Sequence, residues 1–284
     1  MAWWSWGNPS APHVVVCVHG LTRQGRDFDR LAQALLARAG DDLHIVCPDV
    51  AGRGHSEWLP QPRLYQIPQY AADMLALLAQ LQQRAPLQTL DWVGTSMGGL
   101  IGLVLAGQPG LPLPLPIRRL VLNDVGPSIA WPSVERMQQY VGRYGRFADL
   151  AEAARELRRL SAGFGPVPED VWLALSAHMV RPLPEGGLTL HYDPAIGEPI
   201  RALMQDAAQA AETAVWGLYD QIQAQVLLLR GQDSDLLTEA TAQAMTGRGP
   251  RAQLVQWPGV GHAPTLTDPA HIAVLADFLL GPSA

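Results

Sequence analysis

The sequence predicts an α/β protein in which a mostly parallel central sheet is flanked by helices. Three observations carry that prediction. Short, nearly all-apolar runs of strand length recur along the chain, as expected of strands covered on both faces. Segments with apolar residues at helical spacing alternate with them, the pattern of a parallel sheet. One stretch, from about Gly126 to Trp216, breaks the rhythm with helical patterns interrupted by Pro and Gly, and shows no convincing buried strand.

The strand-like runs are Val14 to Val18, His44 to Pro48, Leu90 to Val93, Leu120 to Asn123 and Val226 to Leu229. Ala252 to Trp257 alternates more, which suits an edge strand. The spacing predicts helices over Phe28–Ala39, Pro68–Gln83, Met97–Gly107, Leu237–Met245 and Ile272–Leu280. The last has clear punctuation, with Asp268 as N-cap, Pro269 as first helical residue and Gly281 as stop. Leu111 to Pro116 alternates Leu with Pro and reads as a stiff extended connection.

A chain of 284 residues can bury a sizeable core, and its 48% hydrophobic and 16% charged residues are ordinary for a globular protein. A net charge of −6 argues against nucleic acid or an anionic membrane as partner. The arginines between Arg143 and Arg159 are interleaved with Asp149, Glu152 and Glu156 and read as a solvated helix face. Cys17 and Cys47, the two cysteines, each fall inside an apolar run and read as buried free thiols. The start, Met-Ala-Trp-Trp-Ser-Trp, has neither a basic region nor a long apolar one, and no run approaches membrane-spanning length. The expectation is a soluble, cytoplasmic protein.

Chemistry concentrates at Gly94-Thr95-Ser96-Met97-Gly98. An apolar run ends there and a helical one begins, so Ser96 stands on a sharp strand-to-helix turn. Such a turn crowds its own backbone, and the glycines at 94 and 98 relieve it. A serine hydroxyl needs a base to take its proton and an acid to orient that base. Of eight histidines, His262 is the candidate base, because it sits in a Gly-rich loop between the last strand and the last helix. The candidate acid is Asp235, in the loop after the Val226 strand, with Asp233 as the alternative and better suited to shaping the turn. A third carboxylate, Asp124, ends the Leu120 strand. It can orient the same histidine from a neighbouring strand, but the expected role is structural hydrogen bonding beneath the site. An oxyanion hole needs two backbone N–H groups, and Met97 and Leu21 are the candidates, with Thr22 as alternative to Leu21. His19 is expected to hold the shape of the Leu21 loop through hydrogen bonds.

With His19-Gly20, the Asp49 to Ser56 segment (Asp-Val-Ala-Gly-Arg-Gly-His-Ser), Gly94-x-Ser96-x-Gly98, the Asp235 loop and Gly261-His262 in that order, the chain resembles the α/β-hydrolase superfamily over nearly its whole length outside the mid-chain stretch. The resemblance implies the α/β-hydrolase fold, a triad of Ser96, Asp235 and His262, an oxyanion loop at Leu21, and a helical cap after strand six. It also implies a further N-terminal strand, shortened or absent before Trp3-Trp4-Ser5-Trp6. The domain expectation is a core over 1–125 and 217–284 with a cap inserted over 126–216. Closest in pattern are capped esterases, enol-lactonases and carbon–carbon bond hydrolases.

The predicted activity is serine-dependent hydrolysis of carboxylic esters of small to medium apolar substrates. The other readings are an enol-lactonase or carbon–carbon hydrolase, and, outside catalysis, a ligand receptor on the same fold. No metal-ligand spacing is present, so no metal or cofactor is expected. The expected partner is a small-molecule ester, and oligomeric state is not legible. Trp131, Met137, Trp172 and Trp216 are the candidate pocket residues, although packing of cap helices explains such residues equally well. Arg23, Arg26 and Arg53 lie on loops near the site, where one of them could bind a substrate carboxylate.

Overall fold

The computed structural model describes residues 1–143 and 145–282. Seven strands form the main sheet: β1 (Trp3–Gly7), β2 (His13–Val18), β3 (Leu43–Pro48), β4 (Thr89–Thr95), β5 (Ile117–Asn123), β9 (Gln225–Gly231) and β10 (Gln253–Trp257). Their order is β1-β3-β2-β4-β5-β9-β10, and β10 is the edge strand its alternation predicts. Only β1 runs antiparallel to its neighbour. The N-terminal tryptophans are therefore themselves a strand, since Trp4 and Trp6 alternate with Ser5 and pack on the core while the strand pairs with β3.

Side-chain alternation divides the core into two layers. Val15, Cys17, Ile45, Cys47, Val121, Leu227 and Leu229 face the helices α1 (Asp29–Ala39) and α10 (Pro269–Leu280). Val14, Val16, Val46, Trp92, Leu120, Leu122 and Leu228 face the opposite layer, which holds α2 (Ile67–Arg84) and α3 (Met97–Gly107). Burial on both faces explains why these strands read as continuous apolar runs. The Asp268 carboxylate caps α10 by accepting from the Ala270 N–H at 2.7 Å. At the other end of that helix, Arg119 donates to the carbonyls of Leu279 and Gly281 at 2.8 and 3.0 Å.

Between β5 and β9 the chain leaves the sheet. It forms α4 (Trp131–Tyr140), β6 (Arg146–Phe147), α5 (Leu150–Leu160), α6 (Glu169–His178), β7 (Val180–Pro182), β8 (Leu188–Leu190), α7 (Gly197–Ala202) and α8 (Gln205–Gln221). This insertion follows the fifth sheet strand, one fewer than the resemblance implies. It is not wholly helical, because β6, β8 and β7 pair as a small antiparallel sheet. Strands of two or three residues are too short to leave a period in the sequence. The segment has an apolar cluster of its own, with Ala153, Leu157, Val171, Trp172 and Leu175 meeting between α5 and α6. Helix α8 runs through position 216 and packs on α3, where Gly107 lets it come close. The last helix of the opposite layer, α9 (Glu239–Gly247), follows β9.

Candidate active site

The turn between β4 and α3 holds Ser96 at φ 51°, the left-handed region where a non-glycine residue is strained. Its backbone N–H donates to the Asn123 carbonyl at 2.9 Å, which fixes the turn against the end of β5. A β-carbon on Gly94 would collide with the Gly98 backbone, and one on Gly98 with the Val18 carbonyl. Both glycines are therefore required by contact, as the sequence pattern predicts. The side chain of Trp92 secures the same turn by donating to the Gly98 carbonyl at 3.0 Å.

His262 sits on the loop after β10. Its Nε2 accepts from the Ser96 hydroxyl at 2.9 Å and its Nδ1 donates to Asp124 Oδ2 at 2.7 Å. Asp124 is fully buried and sits in the left-handed region at φ 56°, which aspartate tolerates. It also accepts from the Gly231 N–H at 2.9 Å and the Ser234 hydroxyl at 2.6 Å. The carboxylate beside the histidine is thus Asp124, and the expectation for Asp235 is corrected. Asp235 lies at the surface, half exposed, and forms a two-pronged pair with Arg136 at 2.8 and 2.9 Å. Asp233 is exposed too. From the loop that carries both aspartates, the side chain that reaches inward is Ser234.

The Leu21 loop faces Ser96 across a cavity of about 400 Å³ whose wall includes Gly20, Leu21, Thr22, Ser96 and His262. Met97 follows the serine and opens α3, so its N–H points out of the positive end of that helix. Among the described residues no acceptor takes the Leu21 or the Met97 N–H. His19 braces the loop as expected. Its Nδ1 donates to the Gly20 carbonyl at 2.7 Å and its Nε2 accepts from the Val50 N–H at 3.0 Å. Complete burial pushes the His19 pKa down to about 3, so the ring stays neutral near neutral pH.

Arg53 is fully buried behind the same loop, donating to the carbonyls of Leu21 at 2.8 Å and Ala51 at 2.7 Å and to Tyr70 Oη at 3.0 Å. Burial lowers its pKa. Arg23 is paired with Asp27 and Arg26 with Asp29, each at 2.6 Å. None of these three arginines is left open to a substrate carboxylate.

Of the expected pocket residues, Met137 lines the cavity. Tyr140, Phe147, Phe164 and Met179 join it from the inserted segment. The three tryptophans do not line it. Trp172 is buried between α5 and α6 with its indole N–H on the Ala154 carbonyl at 2.8 Å. Trp216 lies edge-on to Tyr219 beneath the Arg248 guanidinium, and Trp131 opens α4 outside the cavity wall.

The family model described as the alpha/beta hydrolase family matches residues 15–273, and the chain belongs to that family. It is a hydrolase. Among curated proteins it is 45% identical to a 3-hydroxybutyrate-oligomer hydrolase of Cupriavidus necator, over 99% of this chain and 93% of that protein. Among solved structures, an alpha/beta hydrolase from Novosphingobium aromaticivorans superposes with a TM-score of 0.81 at 33% identity, covering 98% of this chain and 93% of that one. A Rickettsia typhi protein superposes with a TM-score of 0.85 at 28% identity, over 99% and 91% of the two chains. Among the described residues no helix is long and apolar enough to cross a membrane.

Proposed function

We propose that this chain is a serine-dependent carboxylic ester hydrolase acting on short oligoesters of small hydroxy acids through an acyl-enzyme on Ser96. The observation that carries the reading is the unbroken relay from the Ser96 hydroxyl to His262 at 2.9 Å and from His262 to the buried Asp124 at 2.7 Å. Ser96 attacks the ester carbonyl as its proton passes to His262 Nε2. The tetrahedral oxyanion accepts hydrogen bonds from the Leu21 and Met97 N–H groups, and losing one such donor typically costs about 3 kcal/mol of barrier. His262 then returns the proton to the leaving alkoxide; it next takes a proton from a water that attacks the acyl carbonyl, and hands it to the Ser96 oxygen as the acyl–Ser96 bond breaks and the acid product departs. Asp124 keeps the Nδ1 proton in place and stabilises the imidazolium.

The substrate class follows from the relative in Cupriavidus necator and from the cavity. A space of about 400 Å³ walled by Met137, Tyr140 and Phe147 has room for a few apolar hydroxy-acid units and not for a long polymer in its entirety. Residues 126–216 act in this reading as a cap that supplies the acyl and alcohol subsites. The test is release of free acid from a 3-hydroxybutyrate trimer and of p-nitrophenol from its butyrate ester. Multiple turnovers are expected, reduced at least about a thousandfold by Ser96→Ala. A single stoichiometric burst, or an active Ser96→Ala protein, overturns the reading.

A further inference from the structure

We infer that a side cavity opening beside the catalytic one, flanked by Arg143 and Arg181, binds the free carboxylate end of the substrate. This inference rests on the ester-hydrolase reading and deepens it. The side cavity holds about 80 Å³, room for a carboxylate group and little more. Arg143, Leu190 and Tyr192 line both cavities, so the two are immediate neighbours; in this reading one extended molecule spans them from Ser96.

The charge distribution points the same way. The chain carries −6 overall, yet the catalytic cavity is walled by Arg23, Arg136, Arg143 and Arg159 against a single acid, Glu156. Three of these arginines are already answered: Arg23 by Asp27, Arg136 by Asp235 and Arg159 by Glu156, at 2.6 to 2.7 Å. Among the described residues Arg143 has no carboxylate within ion-pairing distance, and neither has Arg181, which lies over the Trp58 ring at 5.7 Å. Tyr192 is buried at 5% exposure. Its oxygen accepts from the Gly142 N–H at 3.4 Å, which leaves the hydroxyl proton to donate. Two unanswered guanidinium groups and a phenol make a donor set suited to a planar anion.

An oligoester of hydroxy acids has one hydroxyl end and one carboxylate end. The carboxylate would be held in the side cavity while the ester bond lies at Ser96, so the anion acts as a handle that sets which bond is cut. Neutral, fully esterified chains lack it. The positive local field also raises the concentration of anionic substrate against the repulsion of the whole chain.

The experiment compares 3-hydroxybutyrate trimer as the free acid with its methyl ester, in the native protein and in Arg143→Ala/Arg181→Ala, with p-nitrophenyl butyrate as a third substrate. The native protein should prefer the free acid by about tenfold in kcat/KM, the scale of one charge-assisted hydrogen bond near water. In the double variant that ratio should fall towards one through a rise in KM for the acid. Added salt should erode the preference in the native protein and leave the variant's ratio as it is. Equal use of acid and ester by the native protein, or an unchanged ratio in the variant, overturns the anion site while p-nitrophenyl butyrate turnover preserves the ester-hydrolase reading. Failure of all three substrates overturns both.

Discussion

Replacing Asp124 by Asn keeps the size of the side chain and the φ of 56° that asparagine also tolerates, so the fold should survive. The Gly231 N–H still finds an amide oxygen, while Ser234, whose oxygen already accepts from the Leu236 and Leu237 N–H groups at 3.3 and 3.1 Å, loses the acceptor of its hydroxyl proton at a cost of about 1–3 kcal/mol. His262 cannot adapt without cost to catalysis. Its Nδ1, now 2.7 Å from a donor, must become an acceptor, and the ring proton moves to Nε2. That proton then faces the Ser96 hydroxyl at 2.9 Å, where a base is needed. The equivalent change in a serine triad lowers kcat about ten-thousandfold, and the same is expected here. Asp235→Asn removes only a half-exposed pair with Arg136, worth under about 1 kcal/mol, and should leave kcat within about twofold. Initial rates on p-nitrophenyl butyrate, with circular dichroism to verify the fold, separate the two. A folded Asp124→Asn protein within tenfold of the native rate, or an Asp235→Asn protein as impaired, would refute the reasoning.

Two further outcomes follow from the neighbourhood of the serine. Gly98→Ala places a methyl group against the Val18 carbonyl, so the turn must shift. Urea unfolding should show a loss of about 1–3 kcal/mol. Turnover should fall by about a hundredfold, because Ser96, the proposed nucleophile, is displaced; an equally stable and active variant would contradict the crowding. His19 has a folded pKa of about 3 against 6.5 when unfolded, so the unfolded chain binds more protons between those values. The stability it contributes is complete above pH 6.5 and is lost as pH falls towards 3, at up to about 1.4 kcal/mol per pH unit. Urea midpoints measured from pH 7 to 4 should fall more steeply for the native protein than for His19→Asn, and parallel curves would argue against a neutral buried ring.

The serine and histidine were legible in the sequence because their signals are local. Gly94 and Gly98 mark a turn that crowds itself, and the Gly-rich loop around His262 lies between a strand and a helix. The carboxylate beside His262 was not legible in that way, since its identity depends on which strand ends come together. Asp124 ends β5 and His262 follows β10, with β9 lying between them. The gap closes because β9 ends in Gly231, whose missing side chain lets the carbonyls of Val260 and Gly261 settle against it. Gly231, Gly261 and Ser234 are the local marks of this arrangement in the sequence, whereas chain order points to the flanking aspartates. The tryptophans failed as pocket markers for a related reason. Large amphipathic rings fill the insertion's own packing and the α8 face as readily as a cleft, and only the fold shows which side chains meet Ser96.

The three hydrogen bonds on the Asp124 carboxylate come from 107, 110 and 138 residues further along the chain. Contacts of such long sequence separation form only after large loops have closed, so they are expected among the late events of folding. Helices α1 to α3 and their local turns can form while the carboxylate still faces water and the histidine has no orientation. During refolding from denaturant, regain of catalytic turnover should therefore lag behind regain of helical signal, and the interval between them times the docking of β9 and β10 onto β5.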